Sequence, residues 1–557
     1  MSDDKPTPPE LKPRSGALGI IDFTLPITSA EFELRYYDTA FQGLSFLEIF
    51  LDRVSKVPGI DNLVAVVHSE VEGRVMPYLS RYSSIKALAV PAMGAAIRYL
   101  NHPCLTKSIK WCHQSFRGGA LDATIYDDVM PMELLRDLSG QVYPKSLIYF
   151  TPEFPLFDVE YATQLLDNRE DDKHQLLLKV RASVLGASPA VIPWAGLKLL
   201  QTARWTPLAN FRPNPGGDGA MIMRDSVYHD RDTDLKRGSL ILRSRRDGRR
   251  LTQLLRYLGA NKLEWTTRNL VAGLQTEAVA LEDLPREVDV ELNSLGYTAS
   301  CKLPSLREGP EMDFALFEKL YVEVCSWEDG LLTIGDLGDV LKYSRLGDLR
   351  QLVKGKRPWG LHMIWNAETL LEMSPLPLEW MEIPFDILTL RVTPLSYSRK
   401  YKMIDIEPVI LELSRIYNKS DYQAPVLHIE MNKHEANWRD AKPIFDWASK
   451  YCTSFNLVGF NDYAGQIQSE PGTFHYVPRP RYPCEKLLYQ MYVLPDGTVP
   501  LCKQDFKGSM AFGNVRDRTL KEIWNDEKLL SLRTRQLAGE FHTTELCGRC
   551  KVGWAHT

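Results

Sequence analysis

Nine cysteines are spread unevenly along the chain: Cys104, Cys112, Cys301, Cys325 and Cys452 stand singly, whereas Cys484, Cys502, Cys547 and Cys550 crowd the tail that ends at Thr557. Between Cys484 and Cys502 lies the turn signal Pro495-Asp496-Gly497, flanked by alternating strand residues, so a hairpin is expected to return the second thiol to the first. Cys547-Gly-Arg-Cys550 is a knuckle that delivers two thiolates to one corner of a metal site. Four soft thiolates, with no His at equivalent spacing, suit an iron-sulfur cluster or a structural Zn.

Other reactive side chains carry weaker signals. His68, His113, His362 and His428 belong to separate elements without ligand spacing and read as satisfied core or surface histidines. Cys104 and Cys112, eight apart without a third partner, read as small buried hydrophobes. The basic run from Leu242 to Arg250 has no interleaved aromatic on which a base could stack, and reads as a solvated connector.

Composition bounds the rest. With 67 Lys+Arg against 71 Asp+Glu the net charge is -4, which provides no global field for nucleic acid. At 44% hydrophobic and 25% charged residues the chain is an ordinary globular one, not disordered, collagenous or disulfide-dense. A length of 557 residues suggests three or four domains, at a prior of roughly 150 residues each. The segment 1–16 is polar and Pro-rich without a signal-peptide pattern and is expected to be a disordered tail. No apolar run reaches the roughly 18 residues of a membrane span. The expected setting is cytoplasmic and reducing, where clustered thiols bind metal more often than they pair, with no membrane or nucleic-acid partner.

Periodicity supplies the elements that must position these residues. From Ala17 to Gly219, short apolar runs alternate with amphipathic ones: Leu18–Asp22, then Phe46–Lys56, then Asn62–Val67, the rhythm of an α/β layer. Phe46, Ile49, Phe50 and Val54 fall on one helical face. A basic linker is expected over 220–283. Six strand candidates follow, Val288–Leu292, Leu331–Ile334, Leu361–Trp365, Phe385–Val392, Val426–Met431 and Phe455–Phe460, with a helix over Met312–Val324. Six β/α units in series form an open or closed parallel barrel, whose ligands bind at the carboxyl ends of the strands.

The tail resembles the SPASM domain, the auxiliary-cluster module of radical SAM enzymes that modify peptides and proteins. The likeness covers Cys484 to Cys550: the cysteine spacing about Gly497, Asp505, Gly513-Asn514, Leu520-Lys-Glu-Ile-Trp524 and the final Cys-x-x-Cys occur in the family's order. The later cysteines of a second auxiliary cluster do not occur. The resemblance therefore implies one [4Fe-4S] cluster ligated by Cys484, Cys502, Cys547 and Cys550, with a Zn site as the alternative.

The region 284–475 resembles the radical SAM barrel that precedes such a tail, but not in its defining motif. In the Cys-x3-Cys-x2-Cys loop after the first strand, Gly296, Ser300 and Leu303 occupy the cysteine positions, and Cys301 lies one residue out of place. One thiolate cannot hold a cubane, which leaves S-adenosylmethionine without its cluster. Glu311–Leu320 is similar to the family's first helix, and Leu331-Leu-Thr-Ile-Gly335-Asp336-Leu-Gly338-Asp339 is similar to the glycine-rich second strand that contacts the amino group of S-adenosylmethionine.

The region 17–219 resembles the sugar cytidylyltransferases among nucleotide-diphospho-sugar transferases, through Leu44–Val54, Ile60–Val67, Ser115–Gly119 and Leu147–Asp158. That family holds Mg²⁺ on the nucleotide with the first acid of Asp-x-Pro-Leu-x-Asp. Here Glu153 takes its place and Asp158 matches the second acid, so the resemblance implies Mg²⁺ and nucleotide binding. The loop from Asp22 to Arg35 is acidic where the family wraps a triphosphate.

The expectation is thus an α/β protein with a nucleotidyltransferase-like domain, a partial (β/α)6 radical-SAM-like barrel and a SPASM-like tail over 476–557. Two functions fit. One is an iron-sulfur protein that orients a peptide or protein partner or transfers electrons. The other is an enzyme, either a radical SAM-like modifier or a sugar nucleotidyl- or glycosyl-transferase acting from the amino-terminal domain. The arrangement resembles the spirochaete SPASM-type proteins, a likeness that implies no particular reaction.

Overall fold

A computed structural model describes residues 15–24, 40–90, 107, 111, 132–167, 178, 184–202, 238–242, 245–259, 265–274, 276–294, 297–298, 301–302, 309–383, 385–392, 403–420, 424–432, 454–458, 461–467 and 483–550. The chain divides into two compact units, Met1–His102 with Asp128–Val279 and Pro103–Asp127 with Ala280–Thr557.

The first unit is built on β1 (Ser15–Phe23), α1 (Phe46–Ser55), β2 (Ile60–His68), α2 (Ser69–Leu79), β3 (Ile85–Val90), α3 (Met132–Val142), β4 (Pro144–Phe150), α4 (Val159–Asp167), β5 (Ala190–Pro193) and α5 (Trp194–Thr202). Its five-stranded sheet has the order β3-β2-β1-β4-β5. β1 lies parallel between β2 and β4, with Ile20 beside Val64 and Tyr149, and β5 closes the edge antiparallel to β4. The run that suggested α1 behaves as expected, since Phe46, Ile49, Phe50 and Val54 are all buried. Ser45 starts the helix with a capping box, accepting from the Glu48 amide at 3.1 Å while its own amide donates to the Glu48 carboxylate at 2.8 Å.

The basic run departs from expectation. Residues from Arg245 form the helix α6 (Arg245–Tyr257), in which Arg246, Asp247 and Arg250 are buried. Arg250 pairs with Asp247 at 3.1 Å one turn away, and Leu251, Leu254 and Leu255 draw the same helix inward. Burial of the apolar stripe outweighs the basic composition once the guanidinium has a carboxylate. A second helix, α7 (Thr267–Leu274), follows.

In the second unit the strands β6 (Glu287–Val290), β7 (Leu331–Ile334), β8 (Gly360–Asn366), β9 (Ile387–Val392), β10 (Val426–Asn432) and β11 (Ser454–Val458) alternate with helices that include α8 (Phe314–Ser326), α9 (Leu346–Lys354), α10 (Ala367–Glu372) and α11 (Met403–Lys419). These six strands are the expected ones, and they pair in parallel in chain order. The tail then adds α12 (Glu485–Tyr489), β12 (Gln490–Val493), β13 (Thr498–Pro500), β14 (Ala511–Asn514), α13 (Leu520–Trp524), α14 (Glu527–Leu537) and α15 (Glu545–Arg549).

The expected hairpin at Pro495-Asp496-Gly497 forms only as a turn. Gly497 has a φ of +89° and donates its amide to the Leu494 carbonyl at 2.9 Å, but the two arms diverge. β12 lies parallel along β6 as the seventh strand of the large sheet, and β13 pairs antiparallel with β14. The open edge of β6 competes for the backbone groups that a free hairpin would pair within itself.

Register sorts the two faces of the large sheet. Val288, Val290, Leu332, Ile334, Met363 and Leu388 share one face, with apolar neighbours throughout. The opposite face carries Glu287, Asp289, Thr333, His362, Thr389, Arg391, His428 and Glu430. The first seven of these are buried. A parallel sheet with one buried polar face is a place for charge pairs or a polar ligand, since a barrel interior is usually filled by branched apolar residues.

Candidate metal centre and the polar edge of the large sheet

Three segments supply the tail cysteines. Cys484 is the N-cap of α12 and its amide faces Gln536 Oε1 at 3.4 Å; Cys502 lies two residues beyond the end of β13. Cys547 and Cys550 are supplied by α15, whose N-cap Thr544 accepts from the Cys547 amide at 3.0 Å. No disulfide joins these thiols. Desolvation pushes the Cys484 thiol up to about 12, and Cys550 and Cys547 add to the rise. Cys502 is held well above its ordinary value by desolvation and then by Cys484, Cys550 and Cys547. Cys484 and Cys502 therefore feel the other tail thiols, and these two would resist ionisation until a positive centre is present. Among the described residues no group of three or more His, Cys, Asp or Glu side chains forms a ready site for a metal ion. The donor set nonetheless fits a thiolate-bound cluster in kind and number.

The remaining tail motifs hold this set in shape. Asp505 is fully buried and accepts from the amides of Ser509 at 2.9 Å and Met510 at 2.7 Å, which turns the chain after Cys502. Thr519 and Glu522 form the capping box of α13. Trp524 donates its indole N–H to the Glu282 carbonyl at 2.8 Å, and the Arg533 guanidinium lies 3.9 Å from the centre of the Trp524 ring.

Beyond β7, Gly335 and Gly338 are explained by close packing. Gly335 has a φ of +92°, and a Cβ there would stand 2.2 Å from Val340 Cγ2 and 2.9 Å from the Ile364 carbonyl oxygen. At Gly338 it would stand 2.5 Å from the Asn293 carbonyl oxygen. Asp339 is buried; its amide donates to Asn293 Oδ1 at 3.0 Å, and its Oδ2 accepts from Thr369 at 2.5 Å. Burial raises its pKa against the opposing effect of Thr369 and Lys342. Asp336 contacts Arg391 and, at 2.6 Å, Lys503, while Arg391 donates Nε–H to Glu430 at 2.9 Å. Deeper on the same face, Glu287 accepts from Gln490 at 2.9 Å and from Thr333 at 2.6 Å; His362 contacts Thr333 at 3.4 Å and Thr389 at 2.7 Å. Arg391, Glu430, Lys503 and Glu287 were not singled out by sequence, because their pairing joins distant segments without a local motif.

In the first unit, Asp22 ends β1 and Glu153 lies just beyond β4, at the carboxyl ends of two adjacent strands. Both are buried. Asp22 accepts from the Thr24 amide at 2.7 Å and from the Tyr149 hydroxyl at 2.6 Å. Burial raises its pKa, those hydrogen bonds oppose the rise, and the nearby Glu153 carboxylate adds to it. Asp158 stands apart from this pair as a cap: Oδ2 accepts from the Thr267 amide at 2.6 Å and hydroxyl at 2.7 Å, and Oδ1 accepts from the Glu160 amide at 2.9 Å. Gly296, Ser300, Leu303, Cys104, Cys112, Cys452, His113 and Ser115–Gly119 lie outside the described residues. Cys301 falls on a short strand paired with Thr298.

Among the described residues no helix is long and apolar enough to cross a membrane. Residues 484–551 match the family model of SPASM, an iron-sulfur cluster-binding domain. An uncharacterized protein of Treponema pallidum (strain Nichols) is 37% identical over 73 residues, which are 13% of this chain and 19% of that relative, so the chain spans about a fifth of its length. Among solved structures, BtrN in complex with AdoMet and 2-DOIA is similar at a TM-score of 0.34 and 17% identity, over 48% of this chain and 93% of its own. Streptococcus suis SuiB bound to the precursor peptide SuiA is similar at 0.36 and 12%, over 49% and 72%. A cytidylyltransferase from Leptospira borgpetersenii serovar Hardjo-bovis (strain JB197) is similar at 0.32 and 11%, over 47% and 94%. Likenesses at these scores carry no residue role. The tail is different: its recognition as SPASM-like is borne out by a match that begins at Cys484 and runs one residue past Cys550.

Proposed function

We propose that this chain is an iron-sulfur protein whose four tail thiols hold one [4Fe-4S] cluster, and whose central sheet is a scaffold without radical S-adenosylmethionine chemistry. The observation that carries the proposal is that Cys484, Cys502, Cys547 and Cys550 all lie inside the segment that matches an iron-sulfur cluster-binding domain. Full ligation by protein leaves no iron open to substrate, so such a cluster supplies electron transfer or structural support. Gly296, Ser300 and Leu303 in place of the triad support the loss of the radical-generating cluster. Asp336 already engages two cations of its own chain, so a ligand amine would have to displace one of them. The function that follows is to bind or orient a peptide or protein partner or to pass electrons to it, in a cytoplasmic setting. The proposed organisation remains 17–219, 284–475 and 476–557, with 220–283 between the first two in sequence.

The test is anaerobic purification with metal and sulfide analysis. About four irons and four sulfides per chain are expected, with no deoxyadenosine formed from S-adenosylmethionine under reduction. Zinc without sulfide would overturn the cluster reading, and deoxyadenosine the scaffold reading.

The Asp22–Glu153 pair favours a second reading for the first unit, in which adjacent buried carboxylates at the ends of β1 and β4 hold Mg²⁺ with a nucleotide. Thermal stabilisation by CTP with Mg²⁺ is expected on that reading, and its lack removes the transferase function.

A further inference from the structure

At the carboxyl edge of the large sheet two carboxylates and two cations close on one another. Asp336 is 2% exposed and follows Gly335 at the end of β7. Its carboxylate meets the Arg391 guanidinium from β9 and, through Oδ2, the Lys503 ammonium at 2.6 Å. Arg391 also donates to the Asp336 carbonyl and, at 2.9 Å, to Glu430 of β10. Three of these four charges belong to the sheet. The fourth arrives from the tail, 167 positions beyond Asp336, on the residue next to Cys502.

Without Lys503 this set would carry two carboxylates against one guanidinium, a net negative charge in a desolvated place. That imbalance favours a compact cation with several N–H donors. Leu337, the residue after Asp336, belongs to a buried apolar cluster with Tyr492, Leu494 and Phe506, so apolar surface adjoins the charges. The Lys503 side chain is only 18% exposed, although lysine is rarely buried and loses much rotamer freedom when it is. We propose that Asp336, Arg391 and Glu430 form a binding site for a primary alkylammonium, and that Lys503 is its built-in ligand. Docking of the lysine fills the site and clamps the Cys502 segment onto the sheet.

The experiment is chemical rescue in the full chain with its cluster. Lys503→Ala deletes three methylenes and the ammonium, which n-propylammonium replaces. The melting temperature of the variant is expected to fall by about 5 °C. Millimolar n-propylammonium should recover at least half of that loss, whereas n-propanol and tetramethylammonium should not, and wild type should respond to none. Adding Asp336→Asn should abolish the rescue. An unchanged melting temperature, or recovery no better than with tetramethylammonium, overturns the proposal. If Lys503→Ala does not fold, Lys503→Met keeps the stem, and hydrogen exchange of β12 decides: faster exchange supports the clamp, unchanged exchange overturns it.

Discussion

The glycines beyond β7 separate a ligand-binding motif from a packing motif, and Gly335→Ala is the informative perturbation. A ligand motif needs glycine so that a cofactor can approach, and alanine would then fold normally and lose only binding. The geometry requires more. Gly335 sits at φ +92°, where an L side chain costs about 1–2 kcal/mol. Its Cβ would meet Val340 Cγ2 at 2.2 Å and the Ile364 carbonyl oxygen at 2.9 Å. Val340 is buried and branched at Cβ, so it has little room to rotate, and Ile364 is backbone in the middle of β8. Overpacking of this kind adds about 1–3 kcal/mol. The expected loss is about 2–5 kcal/mol, a large share of the roughly 5–15 kcal/mol typical of a folded domain. Native-state hydrogen exchange of peptides spanning β7 and β8 reads it in the intact chain. Gly347→Ala is the control: nothing lies within 4 Å of the added Cβ and the residue is helical, so the change should be neutral or stabilising by up to about 1 kcal/mol. A Gly335→Ala protein whose exchange free energy stays within about 1 kcal/mol of wild type would refute the packing argument.

Two further outcomes follow from buried ionisable groups. His428, desolvated on the polar face of the large sheet, is held down at about 4 although Glu430 favours its charged form. The unfolded chain therefore binds more protons between about pH 6.5 and 4, so this stability is fully present above pH 6.5 and is lost as pH falls through that window. Its size is about 3 kcal/mol, and His428→Gln should flatten the urea-stability profile between pH 7 and 4.5 by that amount; equal slopes in the two proteins would contradict the burial argument. Asp158→Ala should destabilise the first unit by about 2–4 kcal/mol, because it strips the buried Thr267 amide and hydroxyl and the Glu160 amide of their acceptor. Were Asp158 a strained metal carboxylate instead, its removal would leave the urea midpoint unchanged or raise it.

Local patterns in the sequence pointed to most of the strands of the large sheet. Leu331–Ile334 has the bounds expected of it, because an uninterrupted apolar run between turn residues already marks a doubly buried strand. The helix α8 is offset by two residues from the expected Met312–Val324, since Asp313 takes the cap and accepts from the Ala315 amide at 3.3 Å. What no local pattern could supply is pairing between distant segments. The addition of β12 to β6 depends on an open edge some 200 positions earlier, with Gln490 opposite Glu287. Arg391 and Glu430, 39 apart, share no motif, and neither do Asp22 and Glu153. Their meeting is a product of strand order alone.

That distinction bears on how the resembled motifs should be interpreted. A carboxylate suits a metal or an amine for the same reason that it suits a helix cap or a guanidinium, so residue type cannot separate the two roles. Its oxygens can. Both oxygens of Asp158 accept from named backbone and hydroxyl donors, and Asp336 divides its carboxylate between Arg391 and Lys503. A bound ligand would have to displace those partners and strand at least one desolvated charge, which costs more than an exposed site would. In contrast, desolvation and the neighbouring tail thiols raise the proton affinity of Cys484 and Cys502, and a positive centre relieves that cost. Within the same chain, Asp158 and Asp336 are thus satisfied internally, while the thiols gain from an added group. On this physical ground the tail thiols stand to gain more from an added metal than Asp158 or Asp336 does.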